Sequence, residues 1–214
     1  KIKSAAEKDD AEIMLVEVGG TVGEYQNVMF FEAIRRMKQK DPENVYIVHL
    51  VYLIVPSFLG EMKTKPAQAS IYDLYALGLQ PNFVICRSQL EVDAIRKQTI
   101  SFNTGVKEEN IISAPDMDSI YRCPIVLKAQ DTDTRLLSEM GLKRRETDMV
   151  EWTKAVGKIN TSAKTVNIAI TGKYFTSGKF SLEDSYVSVI EAIKHAAWAQ
   201  NLKPIIKWFD VERF

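Results

Sequence analysis

The sequence has 214 residues, 46% of them hydrophobic and 26% charged, an ordinary balance for a globular chain that holds one domain or one domain plus part of another. Lys+Arg and Asp+Glu stand at 28 each, so no global field steers the chain to nucleic acid or an anionic membrane, and any anion site has to be built locally. The longest apolar run, Val45 to Val55, contains His49 and Tyr52 and is too short to span a bilayer, while Lys1 to Glu12 is charged and lacks the apolar centre of a signal peptide.

Taken in chain order, short apolar runs alternate with longer amphipathic ones, the pattern of a mostly parallel α/β sheet. Ile13 to Val16 predict a strand that stops at Glu17 and Gly19-Gly20. Phe30, Ala33, Ile34 and Met37 recur at three- and four-residue spacing and predict a helix with one buried face. The run VYIVHLVYLIV lacks alternation and predicts a strand buried on both faces. A loop with Gly60 and Pro66 leads into a helix through Ile71, Leu74, Tyr75 and Leu77, ended by Gly78. Next come the strand NFVIC, a helix around Asp93 to Phe102, a strand NIISA, and helices over about 118–130 and 132–140, the second stopped by Gly141. Residues 143–164 turn polar, with one helix in DMVEWTKAV and a linker in GKINTSAKT. A new unit starts with the strand VNIAIT. Ser181 and Asp184 resemble a capping box for a helix carrying Tyr186, Val189, Ile190, Ile193 and Ala197, and PIIKWF supplies a further strand. A single βαβ unit of this kind cannot bury both faces of its sheet.

Three segments are candidates for chemistry. In IMLVEVGGTVGE an apolar strand ends in an acid. P-loop NTPases place such a carboxylate at a strand tip to hold Mg²⁺, which makes Glu17 a metal candidate, with Gly19, Gly20 and Gly23 allowing close approach of phosphate. A solvated turn is the plain alternative. In GEMKTKPAQAS, Lys63 and Lys65 are two residues apart, so an extended backbone aims both ammonium groups one way, as a triphosphate clamp stiffened by Pro66; the alternative is a solvated basic loop. The clamp is expected to fold over the glycines behind Glu17. GKYFTSGKFS sits where a Walker A loop belongs, but five residues separate Gly172 from Gly178, and Phe180 replaces the hydroxyl that would hold the metal, so it reads as a decoy. Lys97 carries no signal by itself. His49 and His195 read as structural, Cys86 and Cys123 as buried free thiols suited to a reducing cytosol, and no nucleophile triad or His/Cys metal cluster is spelled out.

VEVGGTVG, GEMKTKPAQ, GLQPNFVICRS and DMDSIYRCP, in that order, resemble the ammonia-ligase (synthetase) domain of the CTP synthase family, and ITGKY…EDSYVSVIEAIKHA resembles the opening of its class I glutamine amidotransferase domain. The resemblance covers nearly the whole chain and implies a dethiobiotin-synthetase-like, P-loop NTPase-like α/β fold with helices on both faces of a parallel sheet, followed by the first strands and helix of the amidotransferase. It implies three regions: a synthetase part over 1–142 without its N-terminal P-loop part, a linker over 143–164, and an amidotransferase start over 165–214. The implied reaction is ATP-dependent amination of UTP to CTP through 4-phosphoryl-UTP, with ammonia from glutamine. Mg²⁺ is the implied cofactor, and a cytoplasmic homotetramer the implied assembly, with no nucleic-acid or membrane partner.

By position, Glu17 matches the magnesium carboxylate. Glu24, Tyr25 and Gln26 match the segment that contacts UTP or CTP. Lys63, Thr64, Lys65, Pro66, Ala67 and Gln68 match the triphosphate loop, with Lys65 also catalytic, Lys97 matches a further lysine of the nucleotide site, and Met117 matches the residue beside the adenine of ATP. Two departures stand out: GEYQ where the family usually has GDIE, and KPAQ for KPTQ. Both chain ends read as cuts, and the 214 residues alone are expected neither to make CTP nor to hydrolyse glutamine. A UTP- or CTP-sensing and oligomerisation remnant without catalysis is the competing reading. Dethiobiotin synthetase is disfavoured by the unit opening at Val166, and cobyrinic acid amidase by KTKP.

Overall fold

Of this chain, the computed structural model describes residues 1–58, 60–159, 164–172, 176–177, 180–181 and 186–210. They belong to two compact units, Lys1–Arg145 and Glu146–Phe214.

In chain order the first unit comprises α1 (Ile2–Lys8), α2 (Val28–Lys40), β1 (Val48–Leu53), α3 (Lys65–Ala76), β2 (Phe83–Ser88), α4 (Ala94–Thr104), β3 (Ile111–Pro115), α5 (Cys123–Lys128) and α6 (Thr132–Glu139). The three strands form one parallel sheet in the order β1-β2-β3. Parallel neighbours need long crossovers, and α3 and α4 supply them. Val51, Leu53, Val84, Cys86 and Ile111 from the sheet pack with Ala67 and Ile71 of α3 and Ile100 of α4, making the core. The α3 and α4 helices are also tied together: the Tyr72 hydroxyl donates to the Asn103 carbonyl at 2.6 Å and the Tyr75 hydroxyl to the Thr104 carbonyl at 2.5 Å. Gly78, with φ +73°, follows α3 as expected, and Gly105 ends α4 in the same left-handed conformation.

Several expectations need correction. Ile13 to Val16 form no strand; the run is exposed, with Leu15 at 89%. A strand exists through its ladder, and no described strand pairs with this run. VYIVHLVYLIV is not buried on both faces. Val51 and Leu53 are buried, but Val48, Leu50, Tyr52 and Ile54 are exposed, because they share the opposite face from the one that packs on α3. No residue of α2 is buried either, and Phe30 is exposed. The helix expected over 118–130 is a 3₁₀ turn, Ile120–Arg122, followed by the short α5, where Pro124 enters the first turn. Cys86 is buried, and burial pushes its thiol up to about 12; Cys123 is only half-buried.

The second unit comprises α7 (Val150–Gly157), β4 (Thr165–Gly172), β5 (Thr176–Ser177), β6 (Phe180–Ser181), α8 (Val187–Ala199) and β7 (Lys203–Asp210). β4 and β7 pair in parallel from Thr165↔Lys203 to Gly172↔Asp210, and β5 pairs with β6 antiparallel. Its core gathers Ile170 and Ile190 with Tyr186, Ile193, Ile206 and Trp208, and the Tyr186 and Trp208 rings meet edge-on at 5.8 Å. The supposed capping box at Asp184 and most of the decoy loop lie outside the described residues.

Candidate functional site

Open α/β sheets bind ligands beyond the carboxyl ends of their strands. Here those ends lie in one row, since Leu53 pairs with Ser88 and Ser88 with Pro115. Three loops leave that row. The first returns as a bridge: the Lys63 N–H donates to the Ile54 carbonyl at 2.9 Å, and Met62 is buried beside it. Lys63 is therefore fixed at its backbone. Its ammonium donates to a Glu61 carboxylate oxygen at 2.5 Å, and that bond holds the Glu61 carboxyl below its ordinary value. From the second loop, Asp93 caps α4 by accepting the Arg96 N–H at 2.9 Å, and its other oxygen accepts from the Arg96 guanidinium at 2.7 Å. The far side of the guanidinium stands 3.6 Å from Glu61. In the third loop the Asp116 N–H donates to the Ser88 carbonyl at 2.8 Å, and its carboxylate accepts from Arg87 at 2.7 Å. Met117 follows, half-buried.

The chain does not stay extended past Lys63. Lys65 is the first residue of α3 and Pro66 the second, where its missing N–H costs nothing, so the two lysines belong to a bridge and a helix start rather than one extended loop. Thr64 accepts both the Gln68 N–H at 3.0 Å and its side-chain amide at 3.1 Å. Lys65 and Pro66 are exposed, while Ala67 is buried in the core. Any extra group at position 67 would meet the core cluster. Lys97 is turned elsewhere: its ammonium donates to the Gln130 side chain at 3.3 Å, and the same amide bridges the backbone N–H and carbonyl of Ser113.

Residues 17–27 make a second locus. Gly20 takes φ +80°, and the Glu24 carboxylate lies so close to it that an added Cβ would collide. Glu24 accepts from the Thr21 N–H at 2.8 Å, the Thr21 hydroxyl at 2.9 Å and the Gln26 amide at 3.1 Å. Those bonds, the Thr21 N–H first, hold its carboxyl below the usual glutamate value. Asn27 donates to the Gly19 carbonyl at 2.5 Å. Glu17 is exposed beside Gly19, and Tyr25 is 94% exposed.

This second locus borders an open groove of about 430 Å³ that it shares with Asp73, Ala76 and Leu77. Those residues lie at the far end of the 12-residue α3, so about 16 Å of helix separates them from Lys65. Arg35 of α2 also packs beside Gly78 at that end. Within one chain, then, Lys63 to Gln68 join Arg96, Asp116 and Met117 at the sheet edge, and Glu24 to Gln26 do not join them. The expected folding of the lysine loop over the glycines is not found.

Arg96 is the charged residue that sequence reasoning passed over; its i+3 spacing from the capping Asp93 was the available signal. Among the described residues no cluster of three metal-ligating side chains occurs, and no helix is long and apolar enough to cross a membrane.

Residues 1–142 match a family model described as "CTP synthase N-terminus". Proteins named CTP synthase are similar over nearly the whole chain. The one from Hydrogenobaculum sp. is 39% identical over 212 residues, 99% of this chain and 38% of the relative. That from Saccharolobus solfataricus is 38% identical, covering 98% and 39%. That from Streptococcus pyogenes is 37% identical, again covering 98% and 39%. The chain thus spans less than two fifths of the length of these relatives.

Proposed function

Because this chain belongs to the CTP synthase family, we propose that it contributes the pyrimidine-nucleotide site of an enzyme that converts UTP to CTP with ATP and glutamine-derived ammonia. The observation that carries the reading is the set of basic side chains beyond the carboxyl ends of the parallel strands, Lys63 and Lys65 after β1 and Arg96 after β2. A triphosphate needs positive charge at such a position, and the bond from the Lys63 N–H to Ile54 fixes the backbone that carries one ammonium there. Lys63, Thr64, Lys65 and Gln68 hold the phosphates, Pro66 stiffens the segment they sit on, Ala67 supports them from the core, and Lys65 is also the candidate for stabilising charge during transfer. Lys97 belongs to this site only if its side chain leaves Gln130. Met117, next to the Arg87–Asp116 pair, is the candidate for adenine contact.

Glu24, Tyr25 and Gln26 supply the base and ribose side. Since they stand at the other end of α3, the pocket is completed between copies, in keeping with a homotetramer; the unburied apolar residues of α2 support the same reading. Glu17 fits Mg²⁺ as a single carboxylate ligand on an open glycine run, because Mg²⁺ commonly takes one or two carboxylates with the rest from phosphate and water. Bound there, the ion would neutralise phosphate charge. Residues 1–142 are the synthetase part, 143–164 a linker that includes α7, and 165–214 the opening of the amidotransferase; the βαβ core around Ile170 and Ile190 is what such an opening needs. The setting is cytoplasmic.

Thermal-shift titration with UTP, CTP and ATP plus Mg²⁺ tests this, since a ligand that binds the folded state raises its midpoint. UTP and CTP are expected to stabilise the protein and UMP much less. Equal shifts with all nucleotides, or none with any, would remove the triphosphate reading.

A further inference from the structure

At the sheet edge four charges alternate in sign: the Lys63 ammonium, the Glu61 carboxylate, the Arg96 guanidinium and the Asp93 carboxylate. They are held unequally. The Lys63 backbone is fixed by its bridge to Ile54 while its ammonium bonds to Glu61, and Arg96 is held at its N–H and at its side chain by the same Asp93. Among the described residues Glu61 is held by its two cations alone, and it is the most exposed of the first three, at 56% against 41% for Lys63 and 24% for Arg96. Its contact with Arg96 is 3.6 Å, too long for a hydrogen bond, so the guanidinium keeps donor capacity on that side. Two cations, the guanidinium pinned by Asp93 and the ammonium carried on a bridged backbone, with one exposed carboxylate between them are the arrangement of an anion site holding a stand-in. Resting on the nucleotide reading above, we propose that Arg96 joins Lys63 in holding the triphosphate, and that Glu61 occupies the anion position until the triphosphate displaces it.

The stand-in has a physical purpose. Without it two cations would face each other across a loop, and with it the site is neutral until a ligand of higher charge arrives. A triphosphate competes because it offers more charge and more acceptor oxygens than one carboxylate. A monophosphate competes less well, which gives the site a preference for the triphosphate form.

The test is calorimetric binding of UTP and of inorganic tripolyphosphate to the intact protein, at two salt concentrations. Arg96→Gln is expected to weaken both ligands roughly tenfold, the scale of one charge-assisted hydrogen bond, and to flatten the salt dependence. Arg96→Lys should recover part of that loss. Glu61→Gln should tighten both several-fold, because a competitor has been removed. If Arg96→Gln changes neither ligand by more than twofold, or loses stability along with affinity and is not rescued by lysine, the proposal is overturned. It is equally overturned if Glu61→Gln weakens binding. If the unmodified protein binds neither ligand, the nucleotide reading itself fails; if it binds both and the variants are flat, the nucleotide reading stands and this proposal, Arg96 contact and stand-in alike, fails.

Discussion

The two loops that carry the candidate residues are built in opposite ways. The lysine segment is part of the fold: Met62 and Ala67 are buried, Lys63 is bridged to β1, and α3 runs directly from it into the core through Ile71 and Leu74. The glycine segment is folded on itself, since Thr21, Gln26 and Asn27 all bond to Glu24 or Gly19 and no residue from 13 to 30 is buried. The contrast separates two routes to a defined site. One borrows rigidity from the hydrophobic core; the other is stapled locally by a carboxylate and depends little on what lies beneath it.

That contrast can be broken by mutation, and the largest effect should come from the core side. Ile71→Ala is expected to lower unfolding free energy by about 2–5 kcal/mol and to carry the triphosphate site down with it, whereas Leu15→Ala should stay within about 0.5 kcal/mol; urea titrations of the two variants compare them directly. Similar losses in both would erase the distinction. Next, Lys65→Ala should cost UTP binding about 2 kcal/mol with the melting temperature unchanged, because Lys65 is exposed at the helix start. Gly20→Ala should cost about 1–3 kcal/mol of local strain, because φ is +80° there and the new Cβ meets the Glu24 carboxylate. Hydrogen exchange should speed up around Thr21 and Asn27 while α3 stays protected, and faster exchange in α3 would show that the turn is not independent.

The smallest effect is in titration. The Glu24 carboxyl should show an NMR midpoint below that of a peptide glutamate. Its folded value is lowered, so its contribution is present above the ordinary glutamate value and fades as pH falls through the folded one; nothing should change between pH 6 and 9. Gln26→Leu should move that midpoint up by less than Thr21→Ala does, since the Thr21 hydroxyl lowers it more than the Gln26 amide, and neither change removes the larger effect of the Thr21 N–H.

The sequence made the elements of the sheet legible because their signals are local. Three apolar runs with helical spacing between them became β1, β2 and β3 with α3 and α4, and Gly78 and Gly141 stop their helices where expected. Ile13 to Val16 misled because an apolar run states only that it needs a partner, not that it has one. The alternation of β1 was hidden because its outward residues Val48, Leu50, Tyr52 and Ile54 are apolar as well. Pro66 was read as a loop residue when it opens a helix, which turned an expected pair of parallel lysines into neighbours on different elements. The charge relay from Lys63 to Asp93 joins two loops and so has no sequence period at all.

The helix α3 has a consequence for assembly. It keeps the Lys65 end of a copy and its Glu24 end a fixed span apart, like the two contacts of a rigid connector. If two copies meet about a twofold axis so that the first's lysine end touches the second's glycine turn, symmetry makes the reverse contact at once. Such a pairing yields two identical pockets per dimer and none in an isolated subunit, so dissociation and loss of ligand would be the same event.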